Sequence, residues 1–225
     1  MGEKLRLLLL ESPLELVPRE LWSHPQVVKT ARRYDLEPGD LILDKSLHYN
    51  AMAVLPKKWK RGRPDIVHVT LLNILDSPLA MDGKLEVYIH VFDGRVFRVE
   101  PHTRIPKHFE RFKGLMAQLL KVGRVPPEGE PLIYEVAGSL SEFLSSSRLI
   151  LMWERGVQVS PDRVVEDAMS SGDYVGIGMF PRGDFKRSVL RKASRSYSIM
   201  GGRPLKAWTV ASRLLCAAER MLGYL

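Results

Sequence analysis

Strands and helices alternate through the last third of the chain, and this alternation limits the fold more than any other feature. Arg148 to Trp153 is a nearly continuous apolar run, Tyr174 to Phe180 is a second, and Ser196 to Met200 is a short third. Runs of this length, bounded by polar segments, read as buried strands. Between the first two stands Ser160-Pro161-Asp162, which offers a capping hydroxyl, a proline at the first helical position and an acid in the first turn. That helix is expected to run to about Ser170. After the third strand, Pro204 opens a long helix with Leu205, Trp208, Ala211, Leu214, Leu215, Ala218 and Leu222 along one side. Strands separated by helices form a mostly parallel sheet with helices packed on it, so the expected class is α/β.

The first two thirds read less regularly. Leu5 to Leu10 is a buried strand that stops at Glu11-Ser12-Pro13. Val27 to Tyr34 is helical, Glu37-Pro38-Gly39-Asp40 is a turn, and Leu41 to Asp44 reads as a short strand. Pro64-Asp65-Ile66 starts a helix that ends at Asp76-Ser77-Pro78. Leu85 to Phe92 and Arg95 to Val99 flank Asp93-Gly94, a strong hairpin signal. Pro106 starts a helix over Lys107 to Lys121, and Gly123 to Pro131 is a loop. A chain of 225 residues has room for one large domain with its own core.

Charge narrows the partners. Lys and Arg total 34 against 26 Asp and Glu, a net charge of +8. A basic surface attracts polyanions, either nucleic acid or an anionic membrane. The apolar run Leu7 to Leu10 is far too short to cross a bilayer, and no other run approaches that length. The expectation is therefore a cytoplasmic protein with no membrane partner, whose charge points to RNA or DNA. Two basic elements stand out: Lys57 to Arg63 around Trp59, and Arg104 to Lys113, where Lys107 and Arg111 are expected to share a helix face. Forked arginines beside a helix start suit phosphate, although a solvated basic face has the same composition. Lys186 to Arg195 is a third, weaker cluster. Phe109 and Phe112 fit the buried side of their helix rather than a stacking surface. The single cysteine, Cys216, lies in an apolar helical stretch and reads as a core residue, and no Cys/His spacing suits zinc.

The most informative stretch runs from Tyr174 to Asp184. Gly176 and Gly178 interrupt a buried strand, where glycine is costly and marks close approach of a ligand or tight packing. The spacing is neither a dinucleotide fingerprint nor a P-loop, since position 181 is Pro and no Gly-Lys-Ser/Thr follows. Gly201-Gly202 lies between the third strand and the last helix. Two glycine-bearing loops at the carboxyl ends of neighbouring strands can enclose a pocket.

Four longer motifs make the sequence resemble a known family. They are Arg-Pro-Asp-Ile-Val-His (63–68), Leu-Leu-Asn-Ile-Leu-Asp-Ser-Pro-Leu (71–79), Gly-Lys-Leu-Glu-Val-Tyr-Ile (83–89) and Arg-Ile-Pro-Lys-His-Phe-Glu-Arg-Phe-Lys-Gly-Leu-Met-Ala-Gln-Leu-Leu (104–120). They resemble the ribosome-biogenesis pseudouridine N1-methyltransferases of archaea and eukaryotes, a branch of the knotted SPOUT superfamily. The likeness extends from Arg63 to the end and is thinner over the first 60 residues. It implies one SPOUT-type domain over 1–225, with a family-specific insertion. A basic RNA-binding region lies around 57–121, and a C-terminal trefoil knot that binds cofactor lies around 148–225. It implies S-adenosylmethionine as methyl donor, small-subunit ribosomal RNA as substrate and a homodimer, with other small-subunit assembly proteins as further partners.

Residue by residue, the resemblance places cofactor contacts at Leu151, Gly178, Gly183, Met200, Gly201, Gly202, Arg203, Pro204 and Leu205. Phe180-Pro181 is bulkier than the family's usual residues, and Gly202-Arg203 stands where Asn-Tyr is common. RNA contacts fall on Arg63, Arg104, Lys107 and Arg111, with Lys107 often arginine in relatives. Asp65 matches an acid that holds Arg63 in place and is also the nearest candidate base. The implied activity is methylation of N1 of a pseudouridine. A rival reading is an assembly factor that binds rRNA, with methylation secondary or absent.

Overall fold

The computed structural model describes residues 4–224. Its strands are β1 (Leu5–Ser12), β2 (Leu85–Val91), β3 (Val96–Val99), β4 (Arg124–Val125), β5 (Ile133–Ala137), β6 (Leu149–Gln158), β7 (Tyr174–Gly178) and β8 (Ala193–Ser198). The α-helices are α1 (Pro25–Tyr34), α2 (Lys45–His48), α3 (Pro64–Leu75), α4 (Pro78–Met81), α5 (Phe109–Val122), α6 (Leu140–Phe143), α7 (Pro161–Ser171), α8 (Arg187–Leu190) and α9 (Ala207–Met221). The strands form one sheet of eight in the order β4-β5-β3-β2-β1-β7-β6-β8. From β2 to β8 every neighbouring pair is parallel. The β2–β3 hairpin, β5 and β4 add an antiparallel edge. The mostly parallel α/β expectation is met.

The apolar run at the start of the chain becomes the centre of the sheet because both of its faces are covered. Leu5, Leu7 and Leu9 pack with residues of α3, α5, α7 and α9. Leu8 and Leu10 pack on the opposite face with Leu140 of α6, Val189 of α8 and Phe185. A third cluster, which includes Val17, Val27, Leu43 and Met52, gives residues 17–55 a small core of their own. Ser160 caps α7 as its position suggests, accepting from the Arg163 N–H at 3.2 Å, and Gly172 closes that helix at φ 70°.

Several sequence expectations are corrected. Leu41 to Asp44 is not a strand: among the described residues it makes one isolated bridge, Leu16 with Ile42. β6 runs five residues beyond Trp153, to Gln158, and β8 lies earlier than Ser196 to Met200. The last helix starts at Ala207 rather than Pro204, leaving Pro204-Leu205 outside it before the extended Lys206 cap. The helix expected from Pro106 starts at Phe109, after an extended His108. The Pro106 carbonyl accepts from His68 Nε2 at 2.7 Å instead of closing a helical turn. Lys107 therefore lies outside the helix and does not share a helical face with Arg111. β5 and α6 fall in a stretch that the sequence left unread.

Candidate active site

A cavity of about 270 Å³ opens beside the middle of β6 and at the carboxyl ends of β7 and β8. Small-molecule sites in open α/β sheets occupy this place. Its wall is built from residues 152–154 of β6, Ile177 and Gly178 of β7, the loop 180–185, residues 197–200 and 203–205, and the first turns of α9. The lining mixes apolar Met152, Ile177, Leu205 and Val210 with polar Glu154, Asp184, Tyr197 and Ser198. Such a surface suits a ligand with a flat apolar part and several polar groups.

The loop after β7 is held firmly. Trp153 Nε1 and the Phe185 N–H both donate to Asp184 Oδ1 at 2.8 Å. The Phe180 and Phe185 rings meet edge to face at 5.1 Å. A Cβ at Gly178 would come within 2.8 Å of the Phe185 ring, so glycine is required for this packing. Gly176 has a different reason: a Cβ there would strike Leu10 Cδ1 at 2.5 Å and Leu149 Cδ1 at 2.9 Å. Of the two explanations for the strand glycines, tight packing accounts for Gly176, and Gly178 also borders the cavity.

Six of the nine positions expected to meet a cofactor line this cavity: Gly178, Gly183, Met200, Arg203, Pro204 and Leu205. Leu151 does not: it lies one residue before the first β6 residue of the wall, and its side chain packs in the core with Leu8 and Leu10. Gly201 and Gly202 form the adjoining turn at φ +59° and +83° rather than the lining. Sequence reasoning missed Trp153, Glu154, Asp184, Tyr197 and Ser198. Tyr197 and Ser198 flank a cavity that their place at a strand end could have signalled.

The basic elements meet nearby through α3 and the start of α5. His68 on α3 binds the Pro106 carbonyl and stacks on Phe112 at 4.4 Å, which fixes the 104–111 segment against α3. Arg63 caps α3 and makes a two-pronged contact with Asp65, Nε to Oδ1 at 2.8 Å and Nη2 to Oδ2 at 2.7 Å. That hydrogen bond raises the Arg63 pKa, so the guanidinium stays charged. Arg104, Lys107 and Arg111 are exposed, and among the described residues none makes an ion pair. Lys113 points inward to Asp44 and Glu110, each at 2.9 Å.

The Lys57–Arg63 run divides in the same way. Lys57 and Lys58 are exposed, whereas Lys60 and Arg61 are buried. Lys60 Nζ binds Glu11 Oε2 at 2.7 Å and lies 3.9 Å over the Phe180 ring. Arg61 grips Glu15 with Nε at 2.9 Å and Nη2 at 2.6 Å. Glu11 Oε1 also accepts from the Lys186 N–H at 2.6 Å, and the Glu11 N–H donates to His90 Nδ1 at 3.1 Å. Burial pushes the His90 pKa down to about 4, so the ring is a neutral acceptor. The end of β1 thus ties the basic run to the cavity loop. The basic run is therefore not uniformly a surface element: Lys60 and Arg61, beside Glu11 and Glu15, face inward.

A sequence model of the EMG1/NEP1 methyltransferase family matches residues 7–219. The chain belongs to this family. It is 60% identical over 219 residues to the ribosomal RNA small subunit methyltransferase Nep1 of Aeropyrum pernix, covering 96% of this chain and 98% of that protein. It is 45% identical to the Nep1 of Staphylothermus marinus, over 98% of this chain and 97% of that one. The crystal structure of Archaeoglobus fulgidus Nep1 bound to S-adenosylhomocysteine superposes with a TM-score of 0.86 at 35% identity, covering 99% of this chain and 100% of that one. As in other members of the EMG1/NEP1 family, the SPOUT-type α/β sheet is the frame of the molecule. The cavity at its strand ends fits the cofactor class of these methyltransferases. Glycine is needed at Gly178 by the Phe185 ring beside it, and at Gly183 the φ of +93° disfavours any other residue.

Proposed function

We propose that this protein uses S-adenosylmethionine to methylate N1 of a pseudouridine in small-subunit ribosomal RNA. The observation that carries the reading is one juxtaposition. Exposed cations with no ion-pair partner among the described residues lie on the segment that His68 fastens to α3, the helix that opens at the Arg63–Asp65 pair, and the buried Lys60–Glu11 pair joins the basic run to the loop of a cavity of cofactor character. The bound cofactor supplies an electrophilic methyl group. Gly178, Gly183 and residues 203–205 hold it in the cavity, and Trp153 and Asp184 keep the loop around it closed. Arg63, Arg104, Lys107 and Arg111 hold the RNA backbone and present the target base. In uridine, N1 is spent on the glycosidic bond. In pseudouridine it is a free N–H, and placing it in line is most of what the protein contributes. Asp65 gives both oxygens to Arg63, which favours a positioning role over proton abstraction.

The same reading includes a single domain over 1–225, a C-terminal trefoil knot around 148–225, a homodimer and a cytoplasmic location, with small-subunit assembly proteins as further partners. Labelled S-adenosylmethionine and paired small-subunit rRNA hairpins, carrying uridine or pseudouridine at the target, test the activity. Label on the pseudouridine hairpin alone is expected. Tight RNA binding with no label on either would favour the assembly-factor role, and a concentration-independent monomer mass would remove the homodimer.

A further inference from the structure

The three-residue turn Lys58–Lys60 carries an aromatic side chain that neither the core nor the cavity uses. Trp59 is 52% exposed and follows the exposed Lys57 and Lys58. Its indole lies on the cavity loop: a Cβ at Gly183 would come within 3.1 Å of Trp59 Nε1 and 3.2 Å of its Cδ1. The next residue, Lys60, is locked by Glu11 and by the Phe180 ring, so the base of the turn cannot swing away. Among the described residues the indole N–H has no hydrogen-bond acceptor. Single exposed aromatics are common and need no explanation. This one combines a rigid seat, flanking cations and contact with the loop that lines the cavity, and Arg182, next to Gly183, is exposed as well.

We propose that Trp59 is a stacking platform for one unpaired base of the substrate RNA, held beside the nucleotide presented to the cavity. The inference rests on the rRNA-methyltransferase reading and adds a recognition residue to it. Lys57 and Lys58 neutralise phosphates next to the stacked base, and the indole face takes the base irrespective of its identity. A polyanion with an exposed aromatic base matches this surface, whereas an acidic peptide has nothing to lay on the indole.

The test uses Trp59→Phe and Trp59→Leu in the full-length protein. Hairpin affinity, S-adenosylhomocysteine affinity by calorimetry, and KM for the pseudouridine hairpin are measured for each. Loss of one base stack weakens RNA binding roughly 5- to 150-fold. W59L is therefore expected to lose RNA affinity within that range and raise KM, while S-adenosylhomocysteine binds as in the wild type. W59F retains most RNA affinity. Hairpins with each unpaired nucleotide made abasic in turn complete the cycle: one of them should bind the wild type weakly yet bind W59L no worse than the intact hairpin does. The proposal is overturned if W59L binds RNA as tightly as the wild type. It is also overturned if S-adenosylhomocysteine affinity falls in step with RNA affinity, which would make the indole a prop for the loop. Absence of methyl transfer by the wild type would instead refute the activity itself and leave the binding comparison to judge Trp59.

Discussion

Replacing Arg61 by methionine probes the buried pair between the basic run and the end of β1. Arg61 and Glu15 are 6% and 8% exposed and share two hydrogen bonds, at 2.9 and 2.6 Å. Methionine fills much of the volume but leaves a carboxylate buried without its partner, which costs about 3–5 kcal/mol. For a domain of this size, each kcal/mol moves Tm by about 2–4 °C, so a fall of roughly 6–20 °C is expected. The pH dependence is more diagnostic. Desolvation already raises the Glu15 pKa above its usual 4.5, while the hydrogen bond and charge of Arg61 hold that rise down. Without Arg61 the folded-state pKa climbs further. Between the unfolded and folded values the native state binds more protons than the unfolded chain, so stability falls as pH rises through that window. Relative to wild type, R61M should therefore lose most at pH 8 and recover toward pH 5, where Glu15 takes up a proton. Urea unfolding at pH 5, 6.5 and 8 measures the difference directly. A deficit that is flat across this range, or below about 1 kcal/mol at pH 8, would refute the reasoning. The double variant with Glu15→Leu should regain most of the loss, because no buried charge is left unpaired.

Other expectations follow from the same geometry. His48 and His90 are buried, and desolvation lowers both to about 4, so the unfolded chain binds more protons below pH 6.5. The wild type should lose roughly 2 kcal/mol per histidine between pH 7 and pH 5, read from urea midpoints, and a stability unchanged over that range would contradict their burial as neutral rings. Gly176→Ala forces a methyl against Leu10 and Leu149 in the middle of the sheet and should cost about 1–3 kcal/mol; a neutral result in thermal unfolding would mean that these leucines yield freely. Asp65→Asn releases a partly exposed guanidinium, a contact worth about 0–1 kcal/mol, so RNA affinity should fall up to about 5-fold with turnover at saturating RNA retained. Turnover abolished at saturation would give Asp65 a chemical role.

The sheet was legible because apolar runs bounded by turn residues have few ways to be buried. Leu5 to Leu10, Tyr174 to Gly178 and the Asp93-Gly94 hairpin announced themselves by pattern alone. The cavity was half legible. Gly178 and Gly183 marked it, but Trp153, Asp184 and Tyr197 are ordinary residues until pairing of β6 with β7 and β8 brings them together. Leu151 shows how narrow the margin is, since the wall begins at the next residue, Met152, while Leu151 is buried in the core with Leu8 and Leu10. Lys107 shows how tertiary contact overrides a local signal: proline suits a helix start, yet His68 takes the Pro106 carbonyl and delays the helix. Composition cannot say which cations of a run point inward, because that depends on Glu11 and Glu15, some fifty residues upstream.

Those two carboxylates explain why the run is arranged as it is. Buried ion pairs are poor sources of stability, because desolvation consumes most of the attraction. Two of them, one at Glu11 near the end of β1 and one just beyond the strand at Glu15, therefore call for a reason other than stability. Methyl transfer depends on alignment, and a misplacement of about 1 Å can cost 100-fold in rate. The residues proposed to face RNA lie on segments from Lys57 to Arg111, while the cavity is built by segments from Met152 to Val210. Apolar packing between them would tolerate sliding, but charged hydrogen bonds have fixed lengths and directions. Glu11 binds Lys60 from the first set and the Lys186 N–H from the second, so a single carboxylate sets the distance between the two. Geometry, rather than stability, is the contribution expected of Glu11 and its two partners.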